Sequence, residues 1–430
     1  MSDGIETLLA RIAGARVLCV GDAMLDRFVY GAVERISPEA PIPVLHVGRE
    51  TAMPGGAGNV VRNVVALGAQ AGFVAPIGAD AAGGELRSML VGMAGVDAEL
   101  IEIAGRQTTV KTRYIAQGQQ LLRADSETAA PLDAAARAQL VARASAALGS
   151  CQAVALSDYG KGALGEGVAE RIIAAAVQAG RPIVVDPKGA DYRRYAGASV
   201  VTPNLRELAL ASGLPVQGDE QVIAAARRVI ESCGVGAVLA TRSAEGMSLV
   251  ARDGAVSHVR AQARAVFDVA GAGDTVVASV AAALAAGATL EQAALLANHA
   301  AAIVVGKIGT AVATLPELRA AFELPGGMAH AAKLMTLDQA AERAARWREA
   351  GQRVGFTNGC FDLLHPGHVS LLHQARAACD RLIVGINSDG SVRRLKGEGR
   401  PVQSEAARAA VLASLSDVDA VVAFDEDTPL

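Results

Sequence analysis

Short apolar, β-branched runs alternate with helical patterns along most of the chain, and this alternation sets its layer architecture. Strands are expected at 16–21, 72–77, 153–157, 182–186, 199–202 and 237–241, with helices over 57–68, 133–148, 166–179 and 218–232. Strands this apolar bury both faces only in a parallel sheet covered by helices, which is an α/β fold. Two stretches, 28–48 and 106–124, depart from the pattern. Within the second, 108–114 and 120–123 alternate apolar and polar residues. That period predicts a small antiparallel sheet projecting from the main one, a flap that covers a site or pairs with a second copy.

At 430 residues the chain exceeds what one core organises. Periodicity breaks at Leu324-Pro325-Gly326-Gly327 and restarts at Thr336-Leu337-Asp338-Gln339, which reads as a capping box. The expected organisation is a first domain over 1–322, a linker at 323–335 and a second domain over 336–430. The second domain begins with a helix at 337–350, a strand at 353–357, a glycine-bearing turn, a helix at 367–377 and a strand at 381–387. That is a fresh β-α-β start.

A net charge of −4 gives no basic excess, so nucleic acid is not an expected partner. The most apolar segments, 276–290 and 293–305, are Ala-rich and broken by Gly287, Asn298 and His299. They read as buried helices, and no membrane association is expected. Met1-Ser2-Asp3-Gly4 lacks a basic, apolar leader, so a cytoplasmic location is expected. Five cysteines (Cys19, Cys151, Cys233, Cys360 and Cys379) form no C-x-x-C pair, in keeping with a reduced chain.

The chemistry concentrates at glycine turns. Residues 267–275 read Phe-Asp-Val-Ala-Gly-Ala-Gly-Asp-Thr. Gly271, Ala272 and Gly273 form a turn, and Asp274 opens an Ala-rich helix that stops at Gly287. Free amides and the dipole at such an N-terminus make an anion site. A carboxylate there repels phosphate. It either caps the helix or takes a proton from a hydroxyl that attacks the phosphate. Asp22 ends the first strand, where it either accepts from ligand hydroxyls or serves a turn. No G-x-G-x-x-G follows, which argues against a dinucleotide-binding unit. Gly55, Gly56 and Asn59 open the next helix. Asn204 and Glu207 share one helical face, either holding water on Mg²⁺ or capping the helix. Lys188 follows Asp186-Pro187 on the same edge.

In the second domain, Thr357-Asn-Gly-Cys-Phe-Asp-Leu-Leu-His-Pro-Gly-His368 sets His365 and His368 at a helix start. Two imidazoles there can stabilise charge building on an α-phosphate. A zinc reading lacks further ligands at suitable spacing.

The Asp-x-x-Gly-Ala-Gly-Asp motif at 268–274, Gly-Gly-x-x-Asn at 55–59 and Asn-x-x-Glu at 204–207 resemble those of the ribokinase (PfkB-type) sugar kinase family. Residues 20–27, 35–44, 157–162, 186–189 and 202–207 are similar to the bacterial family of bifunctional heptose-7-phosphate kinase/heptose-1-phosphate adenylyltransferases. The histidine motif resembles the cytidylyltransferase-like superfamily. The resemblance implies a ribokinase-like parallel sheet sandwiched by helices, a small β flap, and a partial Rossmann-like nucleotidyltransferase domain.

It also implies roles. Asp274 would deprotonate O1 of a heptose 7-phosphate, while the amides of Ala272 and Gly273 steady the γ-phosphoryl of ATP, with Gly271 also at the ATP site. Asn204, Leu205, Arg206 and Glu207 would meet ATP or its Mg²⁺, with Glu207 nearest the metal, and Asn298 the adenine. Asp22, Gly55, Gly56 and Asn59 would line the sugar site. Lys111, Arg113, Arg123, Lys161 and Lys188 are nominated for the 7-phosphate, or else are solvated side chains. His365 and His368, with Asn358, Gly359, Phe361 and Asp362, would serve adenylyl transfer to heptose 1-phosphate, giving ADP-heptose for lipopolysaccharide core synthesis. Asn387, Asp389 and Lys396 fit positions near phosphate in such folds.

Departures from the family pattern are Ala270, where Thr is usual before the glycine turn, and Gln117-Gly118 ahead of Gln119-Gln120. The sequence given ends at Leu430, ahead of a Lys-Gly-Gly-Asp stretch and a Ser-Thr-Thr helix start found in the family. Kinase activity with little adenylyltransferase activity is therefore expected. A homodimer is expected, with pairing through the flap. Two other readings stay open: a different sugar or nucleoside kinase on the same fold, and a non-catalytic sugar-nucleotide binding protein.

Overall fold

The computed structural model describes residues 2–261, 268–307, 309–323, 333–397, 399–415 and 417–426. Phe267, most of the expected linker and Asp427–Leu430 lie outside them. The chain forms two compact units, Met1–Ala320 and Ala321–Leu430.

In the first unit the strands run β1 (Arg16–Gly21), β2 (Ala23–Ile36), β3 (Pro43–Gly56), β4 (Gln70–Gly78), β5 (Val96–Ile103), β6 (Thr109–Ala116), β7 (Gln119–Ser126), β8 (Ala153–Ser157), β9 (Ile183–Asp186), β10 (Val200–Val201), β11 (Ala237–Thr241), β12 (Met247–Ala251) and β13 (Val256–Val259). The main sheet has nine strands in the order β13-β12-β11-β10-β9-β8-β1-β4-β5. From β11 to β5 all neighbours are parallel, and β12 and β13 add an antiparallel edge. Every residue of β8 is buried, as two-sided coverage requires. Gly21 pairs with Ser157 and Ser157 with Asp186, so the C-terminal ends of β1, β8 and β9 lie side by side. Ligand crevices form at that edge of such sheets.

Small side chains bring the helices in close. Helix Ala272–Ala285 is buried from Asp274 to Ala283, and Thr275 Oγ1 donates to Asn63 Oδ1 of helix Ala57–Ala66 at 2.9 Å. The flap differs from expectation. It has four strands in the order β3-β2-β6-β7, and its central pair, β2 with β6, is parallel. The two hairpins, β2–β3 and β6–β7, are antiparallel as their short connections demand. Far apart in sequence, they join side by side, a pairing that local alternation does not encode.

The second unit holds a parallel sheet in the order β14-β17-β16-β15, from β14 (Leu334–Met335), β15 (Val354–Gly359), β16 (Arg381–Asn387) and β17 (Ala420–Phe424). The end of the expected linker is thus strand, not connection. Among the described residues no helix is long and apolar enough to cross a membrane.

Candidate functional site

Gly271 adopts φ 79° at the N-cap of helix Ala272–Ala285. A Cβ there would stand 2.8 Å from Asn59 Nδ2, so glycine is required both for the backbone and for the approach of Asn59. The first helical turn then carries Asp274 into a buried setting, 4% exposed. Asn59 Nδ2 donates to Oδ2 at 2.8 Å and the Tyr159 hydroxyl donates to Oδ1 at 2.7 Å. Arg62 Nη1 in turn donates to Asn59 Oδ1 at 2.9 Å, fixing the amide orientation. Burial pushes the Asp274 carboxyl up to about 6; the two hydrogen bonds and Lys111 pull it down, and Asp26 pushes it up. A carboxylate at that value is ionised at neutral pH yet basic enough to accept a proton.

Asp274 thus belongs to a polar chain, not to packed core. On one side lies a cavity of about 230 Å³ lined by Asp158, Tyr159, Asp186, Lys188, Thr202, Asn204, Glu207, Thr241 and Gly273. Gly273 sits in the first turn, whose amides lack intrahelical acceptors. The Ala272 amide donates instead to Val269 O at 3.2 Å, so it is already occupied. Asn204 and Glu207 do form a capping box: Glu207 N donates to Asn204 Oδ1 at 3.0 Å and Asn204 N to Glu207 Oε2 at 3.2 Å. The box leaves Glu207 Oε1 facing Lys188 Nζ at 3.2 Å. Capping and cavity lining are therefore both realised in one pair. Desolvation holds Asp186 well above the usual carboxylate range, reinforced by Asp274 and Glu207.

The sugar-side expectations divide. Asp22 is 2% exposed and accepts backbone N–H groups of Tyr159, Lys161 and Ala163 at 2.8, 3.0 and 3.0 Å. Its carboxylate is spent on staking the 159–163 loop. Gly55 gives way to Asp26, since a Cβ would stand 2.3 Å from Asp26 Oδ2, and Gly56 takes φ 56° beside it. Arg113 binds Asp26 at 2.7 Å, Arg123 grips Asp125 through two nitrogens and Lys161 Nζ meets Glu127 at 2.6 Å. Lys111 Nζ lies 5.5 Å from the Tyr159 ring centroid, and burial lowers its pKa. Lys188 stands apart from the other four cations, in the cavity with Asn204 and Glu207.

Leu205, Arg206 and Asn298, expected at the nucleotide, do not line this cavity. Leu205 packs against the main core because the first turn aims it inward, while Arg206 is exposed. Asn298 donates to Arg260 O at 2.9 Å, tying down backbone. Tyr159, Arg62, Asp26, Asp158 and Asp186 were not singled out from sequence. Tyr159 and Asp186 stand at or just after strand ends β8 and β9, a position that could have flagged them.

In the second unit His365 is the N-cap of helix Pro366–Ala377, and its ring stacks on His368 at 3.8 Å between centroids. Burial, and then His365, lower the His368 pKa. Phe361 takes φ 44° and packs edge-on to His368 at 5.2 Å. Gly359 is needed under that ring, where a Cβ would stand 3.1 Å from it. Asp362 is not open to ligand. It accepts from Arg400 Nη1 and Val402 N, both at 2.6 Å, and these bonds outweigh burial to hold its carboxyl low. Arg408, 2% exposed, donates to Cys360 O at 2.6 Å, Asp389 Oδ1 at 2.7 Å and Gln403 O at 3.1 Å. Asn358 is exposed on β15, and Asn387 Nδ2 donates to Ser391 Oγ at 3.0 Å. No group of three His, Cys, Asp or Glu among the described residues could hold a metal ion.

The profile of the pfkB family of carbohydrate kinases matches residues 15–318, and the cytidylyltransferase-like profile matches 356–430. A protein of Paramagnetospirillum magneticum called bifunctional protein HldE is 61% identical over 421 residues, covering 98% of this chain and 86% of that one. Proteins of the same name from Rhodospirillum rubrum and Caulobacter vibrioides are 57% and 52% identical, covering 99% and 100% of this chain and 86% and 89% of theirs. Escherichia coli phosphofructokinase-2 in complex with potassium superposes with a TM-score of 0.60 at 22% identity, over 72% of this chain and 98% of that one. Arabidopsis thaliana ribokinase complexed with ribose and ATP gives 0.55 at 20%, with the same coverage. These two show the fold. The profile match and the identities over nearly the whole of this chain establish that it belongs to the pfkB family of carbohydrate kinases, within the group of bifunctional HldE proteins that carry a cytidylyltransferase-like second unit.

Proposed function

We propose that this enzyme transfers the γ-phosphoryl of ATP to O1 of D-glycero-β-D-manno-heptose 7-phosphate, and that its second unit transfers adenylyl from ATP to heptose 1-phosphate, giving ADP-heptose for lipopolysaccharide core synthesis. The observation that carries the phosphotransfer reading is Asp274. It is buried, held by two donors at 2.7 and 2.8 Å and raised to about 6, beside a cavity that begins at Gly273. Asp274 takes the O1 proton as that oxygen attacks, and the Gly273 amide at the positive helix end faces the transferring group. Lys111, on the Asp274 side, offsets charge there.

Lys188 apart, the polar side chains that line the cavity offer oxygen, from carboxylates, hydroxyls and the Asn204 amide, and this fits a hard, hydrated cation. Glu207, with Asn204, would hold Mg²⁺ through water. Bound there, Mg²⁺ would neutralise phosphate charge. Lys188 belongs with the nucleotide and not with the 7-phosphate, for which Lys111, Arg113, Arg123 and Lys161 remain. The proposed kinase domain is 1–322 and the second domain 336–430, in a cytoplasmic homodimer.

Release of ADP across a panel tests the substrate. D-glycero-D-manno-heptose 7-phosphate with Mg²⁺ gives turnover, whereas heptose without the 7-phosphate and nucleosides do not. Equal turnover on an unphosphorylated sugar or a nucleoside overturns the assignment. Pyrophosphate release from ATP and heptose 1-phosphate reads the second activity separately.

A further inference from the structure

Asp274 does not orient itself. Of its two oxygens, one is held from helix Ala57–Ala66 by Asn59, and the other from the loop after β8 by Tyr159. That loop is immobilised in turn by Asp22, which gathers three of its amides from the end of β1. Burying that acid is costly, and the three amide bonds that offset the cost also hold the loop in one position. What the loop carries to Asp274 is the Tyr159 hydroxyl.

We propose that Tyr159 is a positioning residue for phosphoryl transfer: its hydroxyl fixes the Asp274 carboxylate and keeps it ionised. This rests on the reading of Asp274 as the base. Hydrogen bonds donated to a carboxylate favour its charged form and restrict its rotation. The phenol is held well above its ordinary range by burial and then by Asp274, so it remains a donor throughout the working pH range. The other groups acting on this pair are Asp26 from β2, Lys111 from β6, Arg62 from helix Ala57–Ala66 and Asp186 from β9. Two are cations and two are acids, so the hydroxyl is not simply balancing an excess of one sign. Lys111 lies over the Tyr159 ring, which places that cation near the carboxylate without pairing the two directly.

The test is Tyr159→Phe in the full chain, read by ADP release against pH and by ATP binding and thermal melting. The acidic limb of kcat/KM moves up by about one pH unit. The value of kcat falls about 10- to 100-fold, as misplaced catalytic groups commonly cost, and ATP affinity and the melting temperature stay close to wild type. Replacing Tyr159 by 3-fluorotyrosine keeps the shape and sharpens the donor, so the limb moves the other way. An unmoved limb in both variants overturns the proposal, whether kcat falls or not, because a merely structural residue lowers the rate equally at every pH. Asp274→Asn separates this outcome from failure of the underlying reading. If that variant keeps both turnover and the acidic limb, Asp274 is not the base.

Discussion

Both units open a helix just beyond a strand or turn that holds a glycine, Gly271 in the first and Gly359 at the end of β15 in the second, and set ionisable side chains at its N-terminus, yet the two ends are built differently. At Asp274 the turn itself is partly open, but the carboxylate is buried and side chains from separate elements converge on it. At His365 and His368 the pair is more open, and the imidazoles chiefly meet each other and Phe361. Burial therefore tunes the first group strongly, up to about 6. In the second unit the buried polar side chains include Asp362, paired with the exposed Arg400, and Arg408, bonded to the carbonyl of Cys360. Local sequence sets the helix N-terminus in each case, and long-range packing decides how far its chemistry is tuned.

The largest test of this contrast is Asp274→Asn. It removes the base while leaving an isosteric side chain in the same polar cluster. Loss of a positioned general base costs about 10²- to 10⁴-fold in rate. ADP release should fall accordingly, with ATP binding retained. Loss of binding alongside rate would mean that Asp274 shapes the pocket.

Arg408→Ala probes the other side. Its three acceptors, Cys360 O, Gln403 O and Asp389, would each lose a charged donor that is 1% exposed in its side chain. The expected cost is about 3 kcal/mol. The chain's single tryptophan, Trp347, lies in the second unit, so its fluorescence during urea unfolding reports that unit. The tryptophan transition should move to lower urea while ADP release is unchanged. An unmoved transition would show that the loops behind the histidines do not depend on Arg408.

How legible this was in the sequence follows from the same contrast. The β1, β8, β9 and β11 strands, and the glycine turn into Asp274, were visible because apolar runs and Gly φ requirements are local. The parallel β2–β6 pairing was not, since register between distant hairpins leaves no local trace. The choice between the two readings of Asp22 stays open in the sequence for a similar reason. A carboxylate at a strand end looks the same whether it faces a ligand or the amides at 159, 161 and 163. Lys188 could not be separated from Lys111 by sequence, although the fold sets them on different sides of Asp274. Tyr159 lies in the segment 157–162 that carries the family resemblance, but its hydroxyl acquires meaning only when residue 274 folds against it, 115 positions away.

Glu207→Gln is a finer test within the first unit. Glutamine at N3 still serves a capping box, so the helix Leu205–Ser212 should persist. The negative charge facing Lys188 is lost, and with it the proposed seat for hydrated Mg²⁺. KM for Mg·ATP should rise about tenfold, equivalent to about 1.4 kcal/mol, with kcat changing less. If instead the melting temperature drops and KM holds, the pair is only a cap.

The smallest effect concerns the exposed pair. The His368 imidazole is lowered by burial first and by like charge from His365 second. His365→Asn removes only the second cause, so the His368 pKa should rise but stay below that of an ordinary histidine. Histidine ring resonances followed by NMR against pH measure this directly. A rise all the way to the ordinary value would mean that the neighbour, not burial, sets His368, and the two helix N-termini would then differ in kind. No rise would mean that burial governs His368 without its neighbour, unlike Asp274, on which Asn59, Tyr159, Asp26 and Lys111 also act.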